Sequence, residues 1–235
     1  MVTGAGRGIG LGAAAALADA GAEVTLVARS ADVLDAAALA IGRGSIAQRL
    51  DVSDLEAVRA FFADRPAFDI LVNNAGTNRP MPMTAVEEED YDAVMSLNVK
   101  AAFFIAQACV RKMIAEGVGG SLIHMGSQMG HVGGPSRSLY CASKWALEGM
   151  NKAFALDLAP HSIRSNTIAP TFIETPMTRP FLEDSAFKAS VMAKIKLGRI
   201  GQVSDVMGAI VFLASDASAL MTGTSLIVDG GWTAD

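Results

Sequence analysis

Cysteine, tryptophan and tyrosine each occur only twice, and histidine three times, in this chain of 235 residues. Two cysteines, Cys109 and Cys141, cannot build a disulfide framework and lack metal-ligand spacing, so each reads as a small buried hydrophobe and no metal site is expected. Charge is scarce as well, at 18% of residues with a formal net charge of −5, and no basic stripe accompanies it. That argues against nucleic acid or an anionic membrane as a partner and points to a small molecule. No run approaches the ~18 consecutive apolar residues of a membrane span, and the N-terminus has no basic region followed by an apolar stretch. The expectation is a soluble, cytoplasmic protein. What the chain has in plenty is hydrophobic residues, 51%, enough for a large core. One domain over residues 1–235 is expected, since α/β folds reach roughly 200–250 residues around one core.

No low-complexity tract or repeat period is present. Short β-branched runs at Val24 to Ala28, Ile46 to Leu50, Ile70 to Asn73, Leu122 to Met125, Ile163 to Ile168 and Leu226 to Val228 read as strands buried on both faces. Ala- and Leu-rich segments at Ile9 to Ala20, Val33 to Ile41, Tyr91 to Glu116, Tyr140 to Leu158 and Val206 to Ala214 read as helices. Ser53 with Glu56 and Thr84 with Glu87 have capping-box spacing, while Gly21, Gly42 and Gly117 follow helical runs as C-caps. Strands alternating with helices predict a doubly wound α/β fold, a parallel sheet with helices on both faces, and ligands bound beyond the carboxyl ends of the strands.

The first such strand end is Thr3-Gly4-Ala5-Gly6-Arg7-Gly8-Ile9-Gly10. Glycines let the backbone approach a pyrophosphate, and the helix that follows offers free N–H groups and a positive dipole end. The strict G-x-G-x-x-G pattern is absent, and a glycine-rich turn chosen for close strand–helix packing is the plainer alternative. The second strand ends at Arg29-Ser30 with no acid to accept from a ribose 2′-OH, so Arg29 with Arg7 favours a 2′-phosphate and hence NADP over NAD. Asp51, after the third strand, either meets an adenine amino group or begins a turn.

Tyr140 and Lys144 lie four apart, on one face of a helix. A phenol has an unperturbed pKa near ~10, and an adjacent cation brings it toward the range a general acid/base needs. Ser127 ends an apolar strand, where its hydroxyl is placed either to polarise a substrate oxygen or to cap a turn. Asn98 sits awkwardly inside a long helix and predicts a local distortion.

Taken together, T-G-x-x-x-G-I-G at Thr3 to Gly10, Asp51-Val52, Asn73-Asn74-Ala75-Gly76, Asn98, Ser127, Tyr140 with Lys144, and Asp229-Gly230-Gly231 resemble a classical short-chain dehydrogenase/reductase over the whole chain. The resemblance implies a single-domain Rossmann fold with a seven-stranded parallel sheet in the order 3-2-1-4-5-6-7. It implies NAD(P)-dependent interconversion of a secondary alcohol and a ketone. Tyr140 would be the acid or base, Lys144 would lower its pKa and hold the nicotinamide ribose, Ser127 would orient the carbonyl oxygen, and Asn98 would complete a water-linked relay through Lys144. Gly4, Arg7, Gly8, Ile9, Arg29, Asp51, Val52, Asn73, Ala75 and Gly76 would line the cofactor. Pro170, the Ile173 backbone and Thr175 would cover its nicotinamide, although Thr171 stands where the family usually has glycine.

Residues 175–198 read as an amphipathic substrate lid, with Gln128, His131 and Met177 as wall residues beside Ser127, and with His124 and His161 structural. The helix tails Glu116-Gly117-Val118 and Pro160-His161-Ser162 lack the basic residues of carrier-protein reductases. That tilts the substrate from a 3-oxoacyl carrier protein toward a sugar, polyol or sugar acid. A catalytically silent dinucleotide-binding regulator has no need of the Ser127, Tyr140, Lys144 and Asn98 set, and a nucleotide-binding methyltransferase has no use for the Tyr/Lys pair. The resemblance also implies a homotetramer or homodimer built on the two long helices and the last strand. Only Met1 and Val2 precede the glycine turn, so the expectation is that the natural chain begins earlier.

Overall fold

The computed structural model describes residues 1–234. Seven parallel strands form one sheet: β1 (Val2–Thr3), β2 (Thr25–Ala28), β3 (Ile46–Arg49), β4 (Ile70–Asn73), β5 (Gly120–Met125), β6 (Ile163–Pro170) and β7 (Ser225–Val228). Their spatial order is β3-β2-β1-β4-β5-β6-β7, as the resemblance implied. The chain leaves β1 in one direction to build β2 and β3 and returns to its other side for β4, so the order reverses between β1 and β4.

Successive strand residues point to opposite faces, and each face has its own core. Val2, Leu26, Val72, Ile123 and Ile168 pack under helices α1 (Gly8–Asp19), α2 (Ala31–Ile41) and α9 (Ser204–Ala214). Val27, Leu71, Leu122 and Ile163 pack under α3 (Leu55–Ala63), α5 (Ala102–Glu116) and the far end of α6 (Ser138–Leu158). Leu26, Leu71, Leu122 and Ile123 are fully buried, each contributing about 2 kcal/mol of apolar transfer energy.

Burial on both faces fails at the sheet's margins: Ile46 in β3 and Ile227 in β7 are exposed, because an edge strand has a neighbour on one side only. Both capping boxes also shift. Asp54, not Ser53, caps α3 by accepting from the N–H groups of Glu56 and Ala57, and Glu87 caps α4 (Glu88–Met95) in a box with Asp90. In each case an acid nearer the first turn displaces the hydroxyl residue. Gly117 does end α5 in the left-handed conformation. Cys109 is fully buried, but Cys141 is only half-buried.

The run Glu88–Glu116 is long and apolar enough to cross a bilayer, yet Ile105, Cys109 and Met113 within it are buried against the sheet, the pattern of a core helix. Strand β1 is two residues long and central, with Val2 in register with Leu26 on one side and Val72 on the other.

Candidate active site

The reversal between β1 and β4 opens a crevice at the strands' carboxyl ends, and side chains from β1 and β4 hold its floor. The Thr3 hydroxyl accepts from the N–H groups of Asn74 (2.9 Å) and Ala75 (3.0 Å). The Asn74 amide donates in return to the Thr3 carbonyl (2.9 Å), so the glycine turn is fastened to the Asn-Asn-Ala-Gly segment. Gly4 and Gly8 adopt positive φ, 63° and 58°, which disfavours any residue with a Cβ. A Cβ on Gly10 would stand 2.3 Å from the Gly4 carbonyl oxygen.

Helix α1 then begins without help. Its N-cap, Arg7, makes no side-chain capping bond, and no acid stands in the first turn. The first-turn N–H groups and the dipole's positive end therefore face the crevice without a side-chain acceptor, which is how a helix receives a phosphate. These residues fit a dinucleotide pyrophosphate. Thr175 leans over the same turn, its side chain 3.5 Å from where a Gly8 Cβ would be, and Ile9 flanks it half-buried.

At the adenosine end, Arg7 and Arg29 are exposed, and the residues directly after β2, Arg29 and Ser30, include no acid. Asp51 begins a turn with one of its carboxylate oxygens, which accepts from the Ser53 N–H and hydroxyl at 3.0 and 2.6 Å. That hydrogen bonding, opposed by partial burial and aided by Arg29, holds its pKa below the usual carboxylate range. Val52 is buried and Ala75 and Gly76 are partly accessible. The Asn73 side chain does not face the crevice. Its amide donates to the Ala102 carbonyl (2.7 Å) and approaches His124 Nδ1 (3.4 Å), so only its backbone is available to a cofactor. Asn74, which sequence reasoning did not single out, is the residue whose side chain shapes the loop.

The chemistry-bearing side chains converge from β5, α6 and the helix before α5. Ser127 follows β5 and is 5% exposed. Its hydroxyl accepts from the Met129 N–H (3.1 Å), capping a short turn, and donates to the side-chain oxygen of Gln128, Oε1 (2.9 Å). Burial raises the pKa of the Tyr140 phenol, with the Ser127 hydroxyl and the Arg137 charge pulling it back down. Lys144 Nζ lies 5.4 Å from the Tyr140 ring centroid and donates to the Met125 carbonyl (2.7 Å). Its burial lowers its pKa to about 8 against the raising effect of Glu148.

Asn98 lies in a π turn, Ser96–Ala101, between α4 and α5, the distortion its presence predicted; single π turns recur at functional sites. Its side chain is fully engaged: the amide donates to the Thr77 carbonyl (2.9 Å) and Ser143 Oγ (3.0 Å), and the oxygen accepts from the Thr77 N–H (2.8 Å). The side chain thereby holds the loop after β4 against α6.

On the substrate side, β6 delivers Pro170. Thr171, where glycine was expected, keeps a φ outside the positive region, with its N–H bonded to the Val228 carbonyl (3.1 Å). Ile173 is buried and bridges to Gly201. The Thr175 N–H donates to the Thr178 hydroxyl (3.0 Å), and Met177 is exposed. The lid segment forms α7 (Arg179–Leu182) and α8 (Ser185–Met192), with Phe187 edge-on to Phe172 at 5.6 Å. The His131 Nε2 lies 2.9 Å from Ser225 Oγ and 3.5 Å from Glu148, which braces α6 against β7. His124 is fully buried, and burial lowers its pKa to about 4. Among the described residues no cluster suited to a metal ion occurs.

A parallel sheet with a phosphate-ready crevice, together with a buried Ser and Lys and a partly buried Tyr, defines an NAD(P)-dependent oxidoreductase. A family model described as enoyl-(acyl carrier protein) reductase matches residues 4–233, and the chain belongs to the short-chain dehydrogenase/reductase family. It is 38% identical to D-erythrulose reductase of Gallus gallus over 232 residues, 99% of this chain and 94% of that protein. It is 39% identical to gluconate 5-dehydrogenase of Gluconobacter oxydans (strain 621H) over 240 residues, 99% of this chain and 93% of that protein. The crystal structure of a gluconate 5-dehydrogenase from Burkholderia cenocepacia J2315 in complex with NADP and tartrate superposes with a TM-score of 0.95 at 38% identity, covering 99% of this chain and 94% of that one.

Proposed function

We propose that this enzyme uses NADP(H) to interconvert a secondary alcohol and a ketone on a sugar, polyol or sugar acid. The observation that carries the reading is the Tyr140 phenol one helical turn before Lys144, whose Nζ lies 5.4 Å from its ring, in a chain whose α1 opens in a glycine turn with no side-chain acceptor on its first N–H groups. The nicotinamide supplies or accepts the hydride. Tyr140 gives its proton to the carbonyl oxygen in reduction and takes it from the hydroxyl in oxidation. A phenol kept protonated by burial is in the right state to act as the acid. Ser127 orients the same oxygen, and Lys144, charged below about pH 8, holds the ribose hydroxyls and stabilises the phenolate as it forms.

NADP is favoured by Arg7 and Arg29 with no acid after β2, since guanidinium forks match a phosphate. The sugar-related substrate is supported by the names of the relatives. The helix tails at Glu116 and His161 offer no basic patch to an acidic carrier protein. Exposed Trp145 and Leu156 on α6 and Ile227 on β7 support self-association into a dimer or tetramer, and a subunit mass that falls to the monomer on dilution in light scattering would count against it. The function is tested by incubating purified protein with NADPH or NADH and a panel of ketoses, keto sugar acids and polyols. Following the absorbance of the reduced nicotinamide, turnover of at least one sugar-related ketone with NADPH is expected; none with either cofactor would overturn the reading.

A further inference from the structure

Between the lid and the catalytic phenol stands an arginine with no counter-charge. Arg137 immediately precedes α6 and is 8% exposed; arginine is almost never buried to this extent unless paired. Among the described residues its guanidinium makes no ion pair and no hydrogen bond. Its neighbours are the faces of two lid rings, Phe181 at 5.5 Å and Phe187 at 5.9 Å, which attract a cation but offer it no acceptor. Its charge reaches Tyr140. Burial correspondingly lowers its own pKa. Ser136 before it holds a left-handed φ of 57°, with its carbonyl accepting from the Met81 N–H at 3.1 Å, so the arginine's approach is fixed by the backbone.

A second unsatisfied donor sits next to Ser127. Gln128 is 1% exposed, and its side-chain oxygen takes the Ser127 hydroxyl while its Nε2 is buried without a partner. A buried cation and a buried amide N–H, both lacking acceptors and both beside the Ser127–Tyr140 pair, call for a ligand rich in acceptors and negatively charged. The relatives divide on this point, some named for sugar acids and some for neutral sugars.

We propose that Arg137 binds the carboxylate of the substrate, so that the enzyme selects keto sugar acids over neutral ketoses, with Gln128 Nε2 donating to a neighbouring substrate oxygen. The assignment rests on the ketone–alcohol chemistry proposed for Tyr140. A carboxylate matches the planar fork of a guanidinium in two parallel hydrogen bonds, and lid closure places Phe181 and Phe187 around that pair, away from water.

The test compares 5-keto-D-gluconate with L-xylulose as substrates for NADPH oxidation, in the wild-type protein and in Arg137→Met and Arg137→Lys. The wild type is expected to favour the keto acid. Arg137→Met is expected to lower the keto acid to ketose ratio of kcat/KM roughly 10- to 100-fold, mostly through KM, with Arg137→Lys in between. Using a ratio removes any general effect of Arg137 on the acidity of Tyr140. A wild-type preference for the ketose, or a ratio unmoved in Arg137→Met while both substrates slow together, would overturn the proposal. Tartrate binding in the presence of NADP, read by thermal shift, needs no turnover. If neither ketone is reduced, the Tyr140 reading fails, while tartrate stabilisation lost in Arg137→Met still supports the anion site, and equal stabilisation of both proteins refutes it. NADPH binding by fluorescence identifies a misfolded variant, in which case Arg137→Lys and Arg137→Gln decide the question.

Discussion

Asn98 Nδ2 stands 3.0 Å from Ser143 Oγ, which fastens the π turn of one long helix to the residue next to Lys144 on another. The same side chain holds both backbone groups of Thr77. Asn98→Ala leaves these buried groups without partners, at about 1–3 kcal/mol for each group stranded. The expected result is a lower Tm with kcat reduced about 10-fold or more and the KM for NADPH changed much less. A kcat and Tm equal to wild type would show that α6 is positioned without it.

Tyr140→Phe removes one oxygen from a partly buried ring and leaves the α1 cradle untouched. Turnover is expected to fall by a factor on the order of 10³, within the span of general acid–base and carbonyl-polarising contributions combined. NADPH should bind within about threefold of wild type by fluorescence titration. Retained turnover would remove the phenol from the mechanism.

Arg29→Asp places an acid where a ribose 2′-OH would be met and a 2′-phosphate repelled. The KM for NADPH is expected to rise at least about 10-fold more than that for NADH, at roughly one charge-assisted contact of about 1.5–3 kcal/mol. Equal changes for both cofactors would place the phosphate elsewhere.

Two buried bases give opposite pH signatures. Lys144, lowered to about 8 by burial and faced by Glu148 and neutral His124, loses its charge above that pH. The kcat/KM for ketone reduction is therefore expected to be level below about pH 8 and to fall above it, with Lys144→Arg moving that limb upward if activity survives. His124 ionises near 4 in the folded protein against 6.5 in the unfolded chain. The unfolded state thus binds the extra proton first, and stability is full above about pH 6.5 and declines as the pH falls toward 4, by about 3 kcal/mol. Urea unfolding across this window checks it, and His124→Asn should flatten the slope.

The elements were legible because a doubly wound sheet writes itself in short β-branched runs separated by Ala-rich helices, and β4 begins and ends at the residues its hydrophobic run marked, Ile70 and Asn73. Edge exposure at Ile46 and Ile227 was not legible, since a run's composition carries no information about how many neighbours it will have. Tyr140 and Lys144 could be found from helical spacing, and Asn98 from its poor fit to a helix interior. Arg137 gave no signal: one arginine before a helix is ordinary until the fold brings Phe181, Phe187 and Tyr140 around it. Where the Asn73 and His131 side chains bond was not legible either, because a strand-end or loop position does not reveal which way a side chain turns.

Helix α6 presents Arg137, Tyr140, Lys144, Glu148 and Asn151 along one side, and each ends on a different part of the molecule. Glu148 accepts from the Thr167 hydroxyl at 2.8 Å, and Asn151 joins Ser165 and Thr224 at 2.9 and 3.0 Å. The opposite side, with Trp145, Lys152 and Leu156, is exposed. The helix therefore tolerates exchange of residues on its outer side but no change in their number. One residue inserted after Tyr140 would rotate all that follows by about 100°, turning Lys144, Glu148 and Asn151 out of their sockets at once.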